Sequence, residues 1–213
     1  YLHEQGVRLV ITCDCGVSNT VEIAEAKELG IDTIVTDHHQ IPEKVPDAFA
    51  IIHPKIADET YPFRELAGGG VAFKLVQGLL RSSRCDFEPQ VKEAFEKWLL
   101  DLVALSSVAD MVDLRGENRI LVKYGLLVLA MNRRLGFQKM FQIAGIKTEK
   151  MTSQTISFQI APRINAAGRM DHANTAYMLL RASSDEEATQ LAVLLEKQNK
   201  DRQAVTERMF REA

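Results

Sequence analysis

The sequence predicts an α/β fold: a parallel β-sheet flanked by helices, followed by a helical segment and a long connector helix. Three observations carry this. Short apolar runs rich in Val and Ile, Val7–Thr12, Ile34–Thr36 and Ala48–His53, read as buried strands. A helical pattern separates the first two, giving a β-α-β unit whose right-handed crossover makes its strands parallel. From Val71 onward the apolar residues recur at helical spacing.

Tyr1 to Gln5 reads as a last helical turn closed by Gly6. Ser18, Asn19 and Thr20 offer N-caps to a helix over Val21–Leu29, which Gly30 ends. Pro42 and Pro46 fix a loop, and a polar connection follows His53-Pro54. Gly68-Gly69-Gly70 precedes a helix over Val71–Leu80. Such a run can cradle a phosphate or permit close packing, and packing is expected for at least one of the three glycines. Glu88–Ser107 is amphipathic, with Val91, Phe95, Trp98, Leu99, Leu102 and Leu105 as its core stripe. Glu117–Met131 and Leu135–Ala144 are further helices, and Thr152 or Ser153 caps one running towards Gln159. Ala161–Met170, broken by Pro162 and Gly168, reads as a loop. Ser184 to Glu187 matches a capping box before a long helix.

The composition, 46% hydrophobic and 26% charged, is that of an ordinary globular protein. A net charge of −3 means that a nucleic-acid partner is gripped by local positive charge or metal ions, not by a global basic field. No apolar run reaches the length of a membrane span, and no signal peptide is evident. Three cysteines make no disulfide scaffold, and one Cys13-x-Cys15 pair without a second argues against a four-sulfur zinc site. A reducing cytoplasm is the simplest setting. The chain starts without Met and stops inside a helical pattern. The expectation is therefore a piece of a longer protein, with one domain over 1–183 and the start of a connector over 184–213.

The chemistry gathers at strand ends. The second strand ends in Asp37-His38-His39, and the first in Cys13-Asp14-Cys15-Gly16. In an open α/β sheet, ligands sit beyond the carboxyl ends of the strands. Asp and His suit Mn²⁺, Zn²⁺ or Fe²⁺, although solvated histidines beside a capping Asp are the plainer reading. Because the strands are parallel, Asp14 and Asp37 share one sheet edge and repel unless a cation lies between them. Asp110, after Val108-Ala109, reads equally well as a cap. Arg163 and Arg169 suit phosphate oxygens or pairing with local acids.

The ordered set Cys13-Asp14-Cys15-Gly16, Asp37-His38-His39, Val108-Ala109-Asp110 and Ala161-Pro162-Arg163-Ile164-Asn165-Ala166-Ala167-Gly168-Arg169 resembles the DHH phosphoesterases. Within that family it is similar to the bacterial exonucleases that degrade single-stranded DNA in repair and recombination, 5′ to 3′. The resemblance implies a site with two Mn²⁺ or Mg²⁺ ions, roughly 3.5–4 Å apart. By position it implies Asp14, His38 and Asp110 as metal ligands, Asp14 bridging. It gives His39 to the scissile phosphate or to proton transfer, with Asp37 orienting the neighbouring imidazole. Arg163, Asn165 and Arg169 would hold the nucleic-acid backbone, with Arg163 expected as the phosphate contact of the two arginines. Single-stranded DNA is the implied partner, with a single-strand-binding protein and a helicase as candidate protein partners. The family's Asp-x-Asp motif is not in this sequence, so the piece is expected to fold but to be inactive alone. A DHH phosphodiesterase for short oligonucleotides or cyclic dinucleotides, and a metal-free replication scaffold, are the alternatives.

Overall fold

The structure, a computed structural model, describes residues 1–57, 59–170 and 172–212. The chain divides into two compact units, Tyr1–Gly125 and Leu126–Ala213.

The first unit is built on three parallel strands, β1 (Leu9–Ile11), β2 (Asp32–Thr36) and β3 (Ala50–Ile52), in the order β1-β2-β3. Helix α1 (Thr20–Glu28) makes the expected crossover, with Leu9 opposite Asp32 and Ile34 opposite Ala50. β2 is central and its Thr33, Val35 and Thr36 are buried, whereas Leu9 and Ile11 on β1 are exposed. Helices α2 (Gly68–Arg81) and α3 (Pro89–Ala109) follow in this unit, and α4 (Gly116–Ala130) begins in it and ends in the second. Leu66, Val71, Phe73, Val103 and Leu121 form a core, with Ile52, Phe63, Leu99 and Leu100 packed against it. Burial of each large apolar side chain is worth ~1.5–3 kcal/mol.

Two expectations change here. The glycines do not precede α2 but form its first turn. Val91 and Phe95 are exposed, so the core stripe of α3 starts later. The core residues reach only its C-terminal half, and Phe95 instead lines an open apolar groove with Leu79 and Phe87.

The second unit is helical: α5 (Leu135–Ala144), α6 (Ser153–Thr155), α7 (Ala161–Met170), α8 (Asn174–Arg181) and α9 (Asp185–Glu212). Its core includes Phe137, Met140, Ile156, Ile160, Leu179 and Leu195. Thr152 caps α6 through a reciprocal pair with Thr155, and the Ser184 hydroxyl accepts from the Glu187 N–H at the start of α9.

The expected loop over Ala161–Met170 is helix. One turn of π-helix, Ile156–Ile160, leads straight into α7. The Ala161 N–H bonds five residues back, to the Ile156 carbonyl. A π turn widens the ring just where Pro162 has no N–H to give and would crowd an α-helical carbonyl. The small side chains of Ala166 and Ala167 on α7 and of Ala188 and Ala192 on α9 are all buried, and α7 packs along α9.

The first half of α9 buries Ala188, Ala192, Leu195, Gln198 and Asn199 and packs on α5, α7 and α8. It is therefore part of the second unit, where a separate connector was expected from residue 184. Ala213 lies outside the described residues.

Arg163 ties α7 to α9. Its Nε donates to Glu196 Oε2 at 2.6 Å and its Nη1 to the Gln159 carbonyl at 2.6 Å, and both side chains of the ion pair are about 15% exposed. Removing one member of such a pair strands the other charge. Arg163→Leu should lower stability by about 3 kcal/mol, read as an earlier thermal melt, and Arg163→Leu with Glu196→Leu should recover part of it. A single variant that melts with the parent would show that the pair contributes nothing.

Candidate metal centre

The site starts from one buried carboxylate. Asp37 leaves the end of β2 with its side chain 2% exposed. Its Oδ2 accepts the Val17 N–H at 3.0 Å. Its Oδ1 accepts the N–H groups of His38 and His39, at 2.8 and 3.2 Å, and lies 2.7 Å from His39 Nδ1. Burial by itself would raise the Asp37 pKa, but the Val17 N–H, the His39 ring and the two further N–H groups outweigh it and hold the carboxyl at about 2. The Asp37 hydrogen bond in turn pushes the His39 pKa up. With its Nδ1 proton given to Asp37, His39 keeps Nε2 for solvent or substrate, and the ring is more than half exposed.

The two imidazoles point to different tasks. Their ring centroids are 4.6 Å apart and tilted by 53°. His38 is buried, and its Nε2 lies 3.0 Å from Asp14 Oδ1 and 3.4 Å from Asp110 Oδ2. It forms an aligned hydrogen bond with neither: it is a buried ring nitrogen without a hydrogen-bond partner. A ring nitrogen facing the gap between two carboxylates makes a donor set that suits a cation. Donor atoms of Asp14, His38 and His39 lie within 4.8 Å of one another. Nitrogen and oxygen donors of this kind suit Mn²⁺, and fit Mg²⁺ through the carboxylates.

Asp14 reaches this position through a strained turn. Its φ is +63°, and Gly16 at +114° follows. The turn is braced from both strands. The Thr12 hydroxyl donates to the Cys15 carbonyl at 2.6 Å, the Asp14 N–H to the Thr36 carbonyl at 2.9 Å, and the Thr36 hydroxyl to the Thr12 carbonyl at 2.7 Å. Asp14 then lies against the first turn of α2, where the helix dipole favours negative charge. Asp110 is the C-cap of α3 and is followed by Met111 at φ +59°. A carboxylate at a helix C-terminus is electrostatically misplaced, and a cation bound between Asp14 and Asp110 would offset that cost. Cys13 beside Asp14 is no thiolate: burial, then the neighbouring Asp14 charge, pushes its thiol pKa up.

The remaining expected site residues are in the second unit. Asn165 and Arg169 are exposed on α7, and Arg169 has no ion pair among the described residues. Arg163, expected to lie free for phosphate, is instead committed to Glu196. Sequence reasoning missed the role of Gly68, although its run of glycines was the signal. A Cβ there would stand 2.1 Å from Asp14 Oδ1, and one on Gly69 2.6 Å from the Ser106 hydroxyl that accepts the Gly69 N–H.

A parallel sheet carries an Asp-His-His turn at its carboxyl edge, facing two further carboxylates, a donor set suited to a divalent metal. The chain belongs to the DHH family: residues 1–106 match the model of the DHH family, N-terminal domain. It is 41% identical over 212 residues to the single-stranded-DNA-specific exonuclease RecJ of Bacillus subtilis (strain 168), covering 100% of this chain and 25% of the relative. Against RecJ of Escherichia coli (strain K12) it is 37% identical over 215 residues, 99% of this chain and 37% of the relative. RecJ of Thermus thermophilus in complex with Mn²⁺ has a similar structure, with a TM-score of 0.83 and 33% identity, over 99% of this chain and 30% of that one. An exonuclease RecJ bound to manganese matches with a TM-score of 0.83 and 32% identity, over 99% and 52%. The chain thus spans from a quarter to about half of these relatives.

Gly68→Ala should push the Asp14 carboxylate aside and weaken Mn²⁺ binding by ~10-fold or more, measured by calorimetry. Gly78, in the same helix, faces open space. Gly78→Ala should leave Mn²⁺ binding alone and stabilise by up to ~1 kcal/mol. Equal Mn²⁺ affinity in both variants would show that Asp14 is not a ligand held by α2.

Proposed function

We propose that this chain is the metal-binding core of a longer exonuclease that hydrolyses phosphodiester bonds of single-stranded DNA, 5′ to 3′, with Mn²⁺ or Mg²⁺. The observation that carries this reading is the buried, unpartnered His38 Nε2 facing Asp14 and Asp110. In the same turn, Asp37 holds His39 the other way. The names of the relatives, single-stranded-DNA-specific exonucleases, support the substrate.

Asp14, His38 and Asp110 would hold the ion. The ion, when bound, supplies Lewis-acid activation of water and charge neutralisation at phosphate. His39 offers Nε2 to substrate while its Nδ1 is fixed by Asp37, so it contacts a phosphate oxygen or takes part in proton transfer. Asp37 directs its lone pairs to protein donors and acts as the orienting group. Asn165 and Arg169 would contact the DNA backbone from α7, while Arg163 keeps that helix seated. We place the enzyme in the cytoplasm, acting on strands exposed by a helicase and held by a single-strand-binding protein. Among the described residues no helix is long and apolar enough to cross a membrane.

The division between the imidazoles tests the reading. In the full-length enzyme, His38→Ala should weaken Mn²⁺ binding and remove activity together. His39→Ala should bind Mn²⁺ nearly as the parent does yet lose ~10²–10⁴-fold in turnover. Equal loss of metal in the two variants would overturn the assignment.

A further inference from the structure

Both N–H groups of the histidine pair go to Asp37, which leaves the two carbonyls to be accounted for. Buried backbone polar groups need partners, and here each carbonyl meets a side chain from the segment after β3. Lys55 Nζ donates to the His38 carbonyl at 3.1 Å, and His53 Nε2 lies 3.0 Å from the His39 carbonyl. His53 is 1% exposed, and its Nδ1 accepts the Lys55 N–H at 3.1 Å. An Nδ1 that accepts requires the proton on Nε2, so His53 is a neutral imidazole with a single tautomer donating to His39. Pro54 fixes the backbone between the two clamps. One bond further back, the Asp37 N–H donates to the Ile52 carbonyl at 3.2 Å, joining the same two segments.

We propose that His53 and Lys55 are positioning residues for the metal centre, acting through the carbonyls of His38 and His39. The inference rests on the metal reading above and adds residues outside the expected ligand set. The peptide planes on either side of His39 set where both ring nitrogens point. The His38–His39 peptide is held at both ends, its N–H by Asp37 and its carbonyl by Lys55, and the next peptide is held at its carbonyl by His53. Removing a carbonyl clamp frees the turn to swing, and the His38 nitrogen leaves the gap between Asp14 and Asp110 for part of the time. The expected loss is that of an outer hydrogen-bond partner of a metal site, ~10–100-fold in metal affinity.

The test uses His53→Leu, His53→Gln, Lys55→Met and Lys55→Arg in the full-length enzyme. Before any metal is added, ¹⁵N–¹H correlation of the histidine rings should show His53 protonated on Nε2 alone in the parent. Mn²⁺ titration should then show the ~10–100-fold weakening in His53→Leu and Lys55→Met. His53→Gln keeps an Nε2 donor at similar reach, and Lys55→Arg keeps a cationic donor; both should recover most of the affinity. Lys55 is only half-buried, so Lys55→Met will fold even if His53→Leu does not. The proposal is overturned if His53 carries its proton on Nδ1, if Lys55→Met binds Mn²⁺ as the parent does, or if the donor-preserving variants recover nothing. A parent enzyme that fails to bind Mn²⁺ refutes the metal reading instead, while the tautomer measurement still judges the clamp.

Discussion

The site depends on a carboxylate that can stay buried and charged only while it is fully bonded. Isolated in a low-dielectric interior, Asp37 would protonate or drag the turn outward. Four donors prevent that, and they come from three residues: Val17, His38 and His39. The Val17 bond matters beyond its own energy because it reaches across twenty residues to the turn that carries Asp14. Two strand-end turns are thereby tied to one anion, and the spacing of their side chains becomes a property of the sheet.

Strain and dipoles are arranged around that anchor. Asp14 and Met111 have left-handed backbones, which cost non-glycine residues ~1–3 kcal/mol each unless the surroundings impose them. Both adjoin the proposed ion position, one as a ligand and one as the neighbour of Asp110. The helix dipoles there are unequal. Asp14 faces the positive end of α2, whereas Asp110 sits at the negative end of α3. The protein alone stabilises one carboxylate and disfavours the other, and a divalent cation between them balances the pair.

What was legible in the sequence was local. The β-α-β unit followed from β-branched runs and a Gly-ended helix. Shared strand ends then placed Asp14 beside Asp37 without any structure. The Asp37–His39 bond, two residues apart, is also a short-range matter. The ion pair of Arg163 was hidden for the opposite reason: its partner Glu196 is 33 residues away, and no local rule announces it. Pro162 and Gly168 gave genuine loop signals that a π turn and close packing on α9 overrode. The packing of α9 was hidden likewise, because Ala188 and Ala192 look unremarkable until they are seen against another helix.

His53 shows how far such reasoning can be extended. It ends the third strand run, and both its ring nitrogens are engaged inside the protein. A ligand histidine must keep a ring nitrogen free for the ion, as is proposed for His38 Nε2, which has no hydrogen-bond partner. A substrate histidine must keep one nitrogen at the surface, as His39 does. A histidine with neither has become part of the frame. Since β3 is only three residues long, the frame is anchored by few ladder bonds, and the clamps from its end make up for that shortness. Metal affinity and the integrity of this strand are then linked, because an ion that binds only the clamped turn must stabilise the clamped sheet by the same free energy.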